Sequence, residues 1–255
     1  MNSQSPNPRP RRKQLVPFVT AGYPTKKGCV ELLKACAAGG ADRIELGIPF
    51  SDPLADGPVI QATSHKALLG GVTTDDAFAI AGSFRDAPLL FMTYINPVFS
   101  YGTARFFARA AEAGLEGVIL PDVPPEEAGP LTAVSDKTGV PIVFLISPTC
   151  TDARIRKIDR LSKGWIYLVS LKGVTGAKIK SDVADFVKRV RRLTRRPLYV
   201  GFGISTPDDA RRVAEVADGI VVGSALLKIV EAGGTPGDVE RFIASLRRAI
   251  DGSGT

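Results

Sequence analysis

The sequence is poor in the residues from which metal and redox centres are built. It holds three cysteines and one histidine in 255 residues. Cys29, Cys36 and Cys150 show no C-x-x-C spacing and have no histidine beside them, which disfavours a metal site. Cys29 and Cys36 share the apolar face of a helix pattern with Leu32 and Leu33, and read as small buried hydrophobes. His65 stands in the polar run QATSHKALL and reads as a surface residue rather than a catalyst. A reducing, cytoplasmic setting is the default for such thiols. No apolar run reaches the ~18 residues of a membrane span. The start, MNSQSPNPRPRRKQ, is basic and proline-rich without the apolar stretch of a secretory signal, so residues 1–14 are expected to form a disordered tail.

Charge of one sign is in excess, at +7. The excess sits in the tail (Arg9, Arg11, Arg12, Lys13) and in one amphipathic segment, KRVRRLTRR, from Lys188 to Arg196. Neither zinc-finger spacing nor an aromatic-rich motif accompanies it, so no nucleic-acid partner is expected. A basic surface also attracts anionic metabolites, which asks less of the sequence. The hydrophobic fraction, 44%, is that of a globular protein with a sizeable core.

What is present is a regular alternation. Strand candidates are LVPFVT (15–20), DRIELG (42–47), LLFMTY (89–94), GVILP (117–121), PIVFLI (141–146), WIYLVS (165–170), PLYVGF (197–202) and GIVVGS (219–224). Amphipathic helix patterns lie between them, clearest in Val239, Phe242, Ile243, Leu246 and Ile250 at i, i+3, i+4, i+7 and i+11. Thr206-Pro207-Asp208-Asp209 offers an N-cap, a proline at the first helical position and acids in the first turn. Gly39-Gly40 and Gly114 terminate helices, and Gly70-Gly71 divides the long segment after residue 59 into two. Strand and helix alternate without a linker, and VTAGYPTKKG lacks the G-x-G-x-x-G of a dinucleotide fold. The expected fold is therefore a single (β/α)₈ TIM barrel with extra short helices, one catalytic domain over residues 15–251.

Within that fold IELGIPFSDPLADGP carries two carboxylates of interest. Alternation in DRIELGI turns Ile44, Leu46 and Ile48 toward the helices, and therefore Glu45 toward the barrel axis near its C-terminal mouth. A desolvated carboxyl there is expected to have a raised pKa and to give and take protons near neutrality. The bland alternative is a buried pair with Arg43. Asp56 lies on the following loop, where an Asx turn or helix cap is the alternative role. Alternation sets Tyr167 on one face with Trp165 and Val169, and Met92 on one face with Tyr94; turned inward, these faces would line an apolar pocket, with ordinary barrel filling as the alternative role.

Three glycine clusters follow the last three strands: KGVTG (172–176), GFGIS (201–205) and VGSAL (222–226). They expose backbone donors, and GSALLKIV reads as a short helix from Ser224 whose N-terminus favours an anion. Barrels commonly bind phosphate there. KGVTGAKIKSD is long and polar enough for a lid, with a passive loop as the alternative.

With these motifs in view the chain resembles the tryptophan synthase alpha subunit, from about Val16 to Ile250. The resemblance is carried by PFVTAGYP, ELGIPFSDPLADGPVIQ, MTYINPVFSYG, LPDVPPEE, GVTG, GFGIS and VGSALLKI; SDPLADGP directly after such a strand is the most specific. It implies a lyase making a retro-aldol cleavage of indole-3-glycerol phosphate to indole and glyceraldehyde 3-phosphate, with no metal and no cofactor in this chain. It implies Glu45 as general acid/base and Asp56 as the carboxylate that holds the indole N–H. Phe18, Met92, Tyr94 and Tyr167 match pocket residues. Phe202 falls among the substrate-binding positions, Gly176, Gly203, Gly223 and Ser224 on the phosphate positions, and Thr175 would fasten the closed lid to Asp56.

The resemblance further implies a beta-subunit partner in an alpha2-beta2 heterotetramer, with pyridoxal phosphate in the beta subunit only. Asp52, Pro49 and Pro53 would face it, on a loop expected to be exposed and apolar with Phe50 and Leu54. The family usually begins with an extra helix where this chain has a Pro/Arg segment, which bears on how the barrel's bottom is closed. Two other readings are a Schiff-base aldolase with Lys172 as nucleophile and a non-catalytic activator of a beta subunit. The first is disfavoured because Lys172 lies beyond its strand, the second because the Glu45/Asp56 pair is intact.

Overall fold

The computed structural model describes residues 12–169, 177–201 and 203–252, with side chains from residue 183 onward in the helix that starts at 177. Its strands are β1 (Gln14–Thr20), β2 (Ile44–Gly47), β3 (Leu89–Met92), β4 (Gly117–Ile119), β5 (Ile142–Val143), β6 (Leu145–Ile146), β7 (Ile166–Leu168), β8 (Leu198–Val200) and β9 (Gly219–Val222). The helices are α1 (Lys26–Ala38), α2 (Pro58–Leu69), α3 (Thr74–Ser83), α4 (Ile95–Tyr101), α5 (Thr103–Glu112) and α6 (Gly129–Thr138). α7 (Asp152–Leu161), α8 (Ala177–Arg191), α9 (Pro207–Ala214), α10 (Ser224–Glu231) and α11 (Pro236–Asp251) complete them.

All strand pairs are parallel, in the order β5-β4-β3-β2-β1-β9-β8-β7-β6. The two ends of that order are halves of the single expected strand PIVFLI, divided at Phe144. β5 pairs with β4, β6 pairs with β7, and Tyr167 N donates to Phe144 O at 3.0 Å. The chain running through Phe144 thus joins the ends of the sheet and makes it a barrel. The architecture is the expected TIM barrel with extra short helices, α4 and α10 among them.

Side-chain alternation divides the core into two shells. Ile44, Leu46, Ile48, Phe91 and Phe106 pack between strands and helices. Val16, Leu90, Ile119, Val143, Trp165, Tyr199 and Val221 fill the inside of the barrel, Trp165 stacking on Tyr199 at 4.4 Å. Helix starts follow the sequence signals. Thr73, Thr206 and Thr235 each form a reciprocal capping box with Asp76, Asp209 and Asp238, worth ~1 kcal/mol per cap. Cys29 and Cys36 are buried in α1, and burial pushes the Cys29 thiol up to about 11, so neither is a ready nucleophile.

The bottom of the barrel is closed by charge pairing. Arg247 of α11 is buried and donates to Asp42 at 2.7 Å, to the Lys13 carbonyl at 2.9 Å and to Asp251 at 2.5 Å. Asp42 also accepts from Leu15 N at 2.7 Å. Gln14 already belongs to β1 and Lys13 Nζ reaches the Ala217 carbonyl at 2.8 Å, so barrel contacts begin before residue 15, inside the segment read as a tail. Arg43 faces this end, beside Glu116 at 3.6 Å and Gln14 Oε1 at 3.3 Å. The Arg43–Glu45 pair considered from the sequence does not form.

Candidate active site

Glu45 lies in β2 between Phe18 of β1 and Leu90 of β3 and is 1% exposed. Its Oε1 meets no hydrogen-bond partner among the described residues. Burial, and secondarily the neighbouring Asp56 charge, push its pKa well above the usual carboxylate range. An uncompensated buried carboxyl resolves its desolvation by holding a proton.

Asp56 stands on the loop between β2 and α2, 8% exposed, and accepts from the Tyr94 hydroxyl at 3.0 Å. Burial raises its pKa to about 6, with the Tyr94 bond pulling the other way. It does not cap α2: the N-cap is Gly57, without a side-chain bond. The same Tyr94 hydroxyl accepts from Ala55 N at 3.0 Å, and its ring lies 5.3 Å from Phe50. Tyr94 is thus a polar anchor of the Asp56 loop as well as a pocket wall. Sequence alternation turned it inward; only the loop's fold-back reveals what its hydroxyl meets.

Two glycines make room for aromatic rings at this mouth. A Cβ on Gly47 would fall 2.4 Å from the Phe18 ring, and one on Gly201 would fall 2.1 Å from the Tyr167 hydroxyl. The Tyr167 hydroxyl is held protonated first by burial, then by Glu45 and Asp56. Phe18, Met92, Tyr94, Asp56, Ile60 and Gly47 line one narrow cleft. A wider cavity of about 390 Å³ lies away from these groups, among Asp75, Tyr101, Arg105 and Glu112. It contains no buried carboxyl, so the cleft at the mouth is the better site despite its size.

The glycine clusters after β8 and β9 adjoin the cleft. Gly203, after β8, takes φ +68°, a left-handed conformation that suits glycine. Gly223 precedes α10 without any side-chain cap, which leaves first-turn amides from Ser224 onward for a ligand. A Cβ on Gly223 would lie 3.3 Å from Phe18 Cβ, so the start of α10 touches the apolar pocket. Thr175, Gly176, Phe202 and Lys172 fall outside the described residues.

The partner loop differs from expectation. Pro49 is buried, because the chain leaves β2 still packed on the barrel, and Phe50 and Pro53 are half-buried. Asp52 is exposed and Leu54 is 87% exposed. The surface there is a groove of about 330 Å³ lined by Phe50, Asp52, Pro53, Leu54, His65 and Leu68 rather than an apolar loop, and Pro49 takes no part in it. His65 is exposed, as read from the sequence.

The tryptophan synthase alpha chain family model matches residues 6–250. The chain belongs to that family. It is 47% identical to the tryptophan synthase alpha chain of Geotalea uraniireducens, over 95% of this chain and 94% of that relative. It is 44% identical to that of Dehalococcoides mccartyi, over 94% and 96%. The crystal structure of the alpha chain from Legionella pneumophila superposes with a TM-score of 0.87 at 38% identity, covering 96% of this chain and 94% of that one. As a member of that family, the chain is a carbon–carbon lyase: it cleaves indole-3-glycerol phosphate to indole and glyceraldehyde 3-phosphate by a retro-aldol reaction of tryptophan biosynthesis.

Proposed function

We propose that Glu45 and Asp56 divide the proton chemistry of this cleavage. Glu45, protonated in its buried site, delivers its proton to indole C3. The ring nitrogen then carries positive charge, and the Asp56 carboxylate accepts the N–H hydrogen bond that stabilises it. The Glu45 carboxylate so formed takes the proton of the glycerol 3′-hydroxyl. The oxygen's electrons make the aldehyde C=O, the bond to indole C3 breaks, and its pair returns to the ring. The products are indole and glyceraldehyde 3-phosphate, with Glu45 again protonated. The observation that carries this is the buried Glu45 Oε1, which has no hydrogen-bond partner among the described residues and feels the charge of Asp56.

In this reading Phe18, Met92, Tyr94 and Tyr167 hold the indole. Gly203, Gly223 and Ser224, with Gly176 and Phe202, hold the phosphate end, and Thr175 fastens the lid to Asp56. Residues 15–251 act as one catalytic domain in the cytoplasm, without a cofactor of their own, as two carboxyls suffice for the proton transfers. The partner is a beta subunit carrying pyridoxal phosphate, in an alpha2-beta2 heterotetramer, seated on the groove at Asp52 and Pro53.

The test is indole release from indole-3-glycerol phosphate by the purified chain, with and without a beta subunit. Glu45→Gln is expected to lower kcat by ~10²–10⁴-fold, the range of a lost general acid/base, with the circular dichroism spectrum unchanged. Turnover like the wild type in that variant refutes the assignment. A beta subunit is expected to raise the wild-type rate several-fold; no change at any stoichiometry counts against the docking groove.

A further inference from the structure

The turn that carries Asp56 is fastened on the side away from Tyr94. Gln61, in α2, directs its amide nitrogen at two main-chain carbonyls of that turn: Pro53 O at 3.2 Å and Asp56 O at 3.0 Å. Asp56 N donates back to Pro53 O at 3.0 Å, so the two carbonyls are the ends of one tight turn. An amide NH₂ has two hydrogens, one for each. The Tyr94 hydroxyl holds the same turn from the barrel side through Ala55 N and the Asp56 carboxylate. Leu54, between these anchors, is 87% exposed, so packing contributes little and polar contacts fix the turn. Gln61 is itself exposed and lines the outer groove beside Asp52, Leu54 and His65.

We propose that Gln61 is a positioning residue for Asp56, its amide clamping both ends of the turn. This rests on the role proposed for Asp56 above. A carboxylate displaced by ~1 Å from the indole N–H costs up to ~10²-fold in rate, so the clamp matters although its bonds are individually modest. The titratable groups that interact with Asp56 are Glu45 from β2, Tyr94 after β3 and Tyr167 from β7.

The experiment measures indole release by the full chain from pH 5 to 9, with thermal melts, for wild type, Gln61→Glu, Gln61→Met and Asp56→Asn. Gln61→Glu keeps the shape and replaces the donor by an oxygen that repels both carbonyls; Gln61→Met removes the donor without adding charge. Both are expected to lower kcat about 10-fold with KM within about 2-fold and an unchanged Tm. The acid limb of kcat is expected to move to lower pH as water reaches the loosened carboxylate. Wild-type kcat in Gln61→Met, or a loss of kcat with an unmoved acid limb, overturns the clamp. If Asp56→Asn keeps full activity, the reading of Asp56 itself fails, whichever way the Gln61 variants behave.

Discussion

At the bottom of the barrel Arg247 is buried among Asp42, Asp251 and the Lys13 carbonyl, whereas at the mouth Glu45 is buried with an oxygen that meets no partner among the described residues. Both ends desolvate ionisable groups, and at the mouth burial raises the Glu45 and Asp56 carboxyls above their usual range. A charge taken from water needs a counter-charge if it is to stay charged. Where one is supplied, the group ties elements together, here α11 to the start of β1 and β2. Where it is withheld, the group keeps its proton and becomes an acid that can release it. Pairing builds the scaffold, and in the proposed mechanism its absence makes the reagent.

The sharpest way to break the contrast is to remove charge from the mouth. Asp56→Asn is expected to lower kcat by ~10²-fold or more, since an amide cannot balance the indolenine charge. The same substitution is expected to stabilise the fold at pH 8. The Asp56 pKa rises from 3.8 to about 6 on folding, so the native state holds more proton than the unfolded chain between those values. Stability therefore falls as pH rises through that window, by up to about 3 kcal/mol, and the asparagine variant should lose that slope. Urea titrations at pH 4 and pH 8 measure it, and parallel slopes in the two proteins would remove Asp56 as the cause.

Crowding the mouth without changing charge is the next test. Gly201→Ala places a methyl group against Tyr167, so a drop in kcat/KM of ~10-fold with a stability cost of ~1–3 kcal/mol is expected. Because the ring carbons Cζ and Cε1 would stand 2.5 and 2.6 Å from that methyl, adding Tyr167→Phe is not expected to restore the rate, and full restoration would show that the hydroxyl alone is the obstacle. The smallest effect on activity is expected at the other end. Arg247→Met leaves Asp42 only the Leu15 amide and the more distant Arg12, and should cost ~3 kcal/mol of stability while leaving kcat and KM at 25 °C unchanged. A change in kcat there would mean that the two ends are coupled rather than independent.

Much of this contrast was legible in the chain. The alternation of DRIELGI turned Glu45 inward, and the glycine clusters after β8 and β9 marked the side of the barrel on which Gly203 and Gly223 stand. The helix start at Thr206 was readable because capping chemistry is local. Contacts between segments distant in the chain were not. Nothing in the order of residues says that Tyr94 meets Asp56, that Gln61 spans the turn before it, or that Pro49 is buried while Leu54 beside it in the loop is not. The division of PIVFLI at Phe144 was equally hidden, since that strand alternates like any other.

The sequence by itself determined the barrel, its order of elements and the inward turn of Glu45, because periodicity and capping act within a few residues of one another. Only the tertiary structure decided which carboxyls go unpaired. Whether a buried charge finds a counter-charge depends on groups that the closed sheet brings in from remote strands. Arg43 illustrates this: two residues from Glu45 in the chain, it turned to Glu116 and Gln14 instead, and so left the carboxyl at the mouth free to carry a proton.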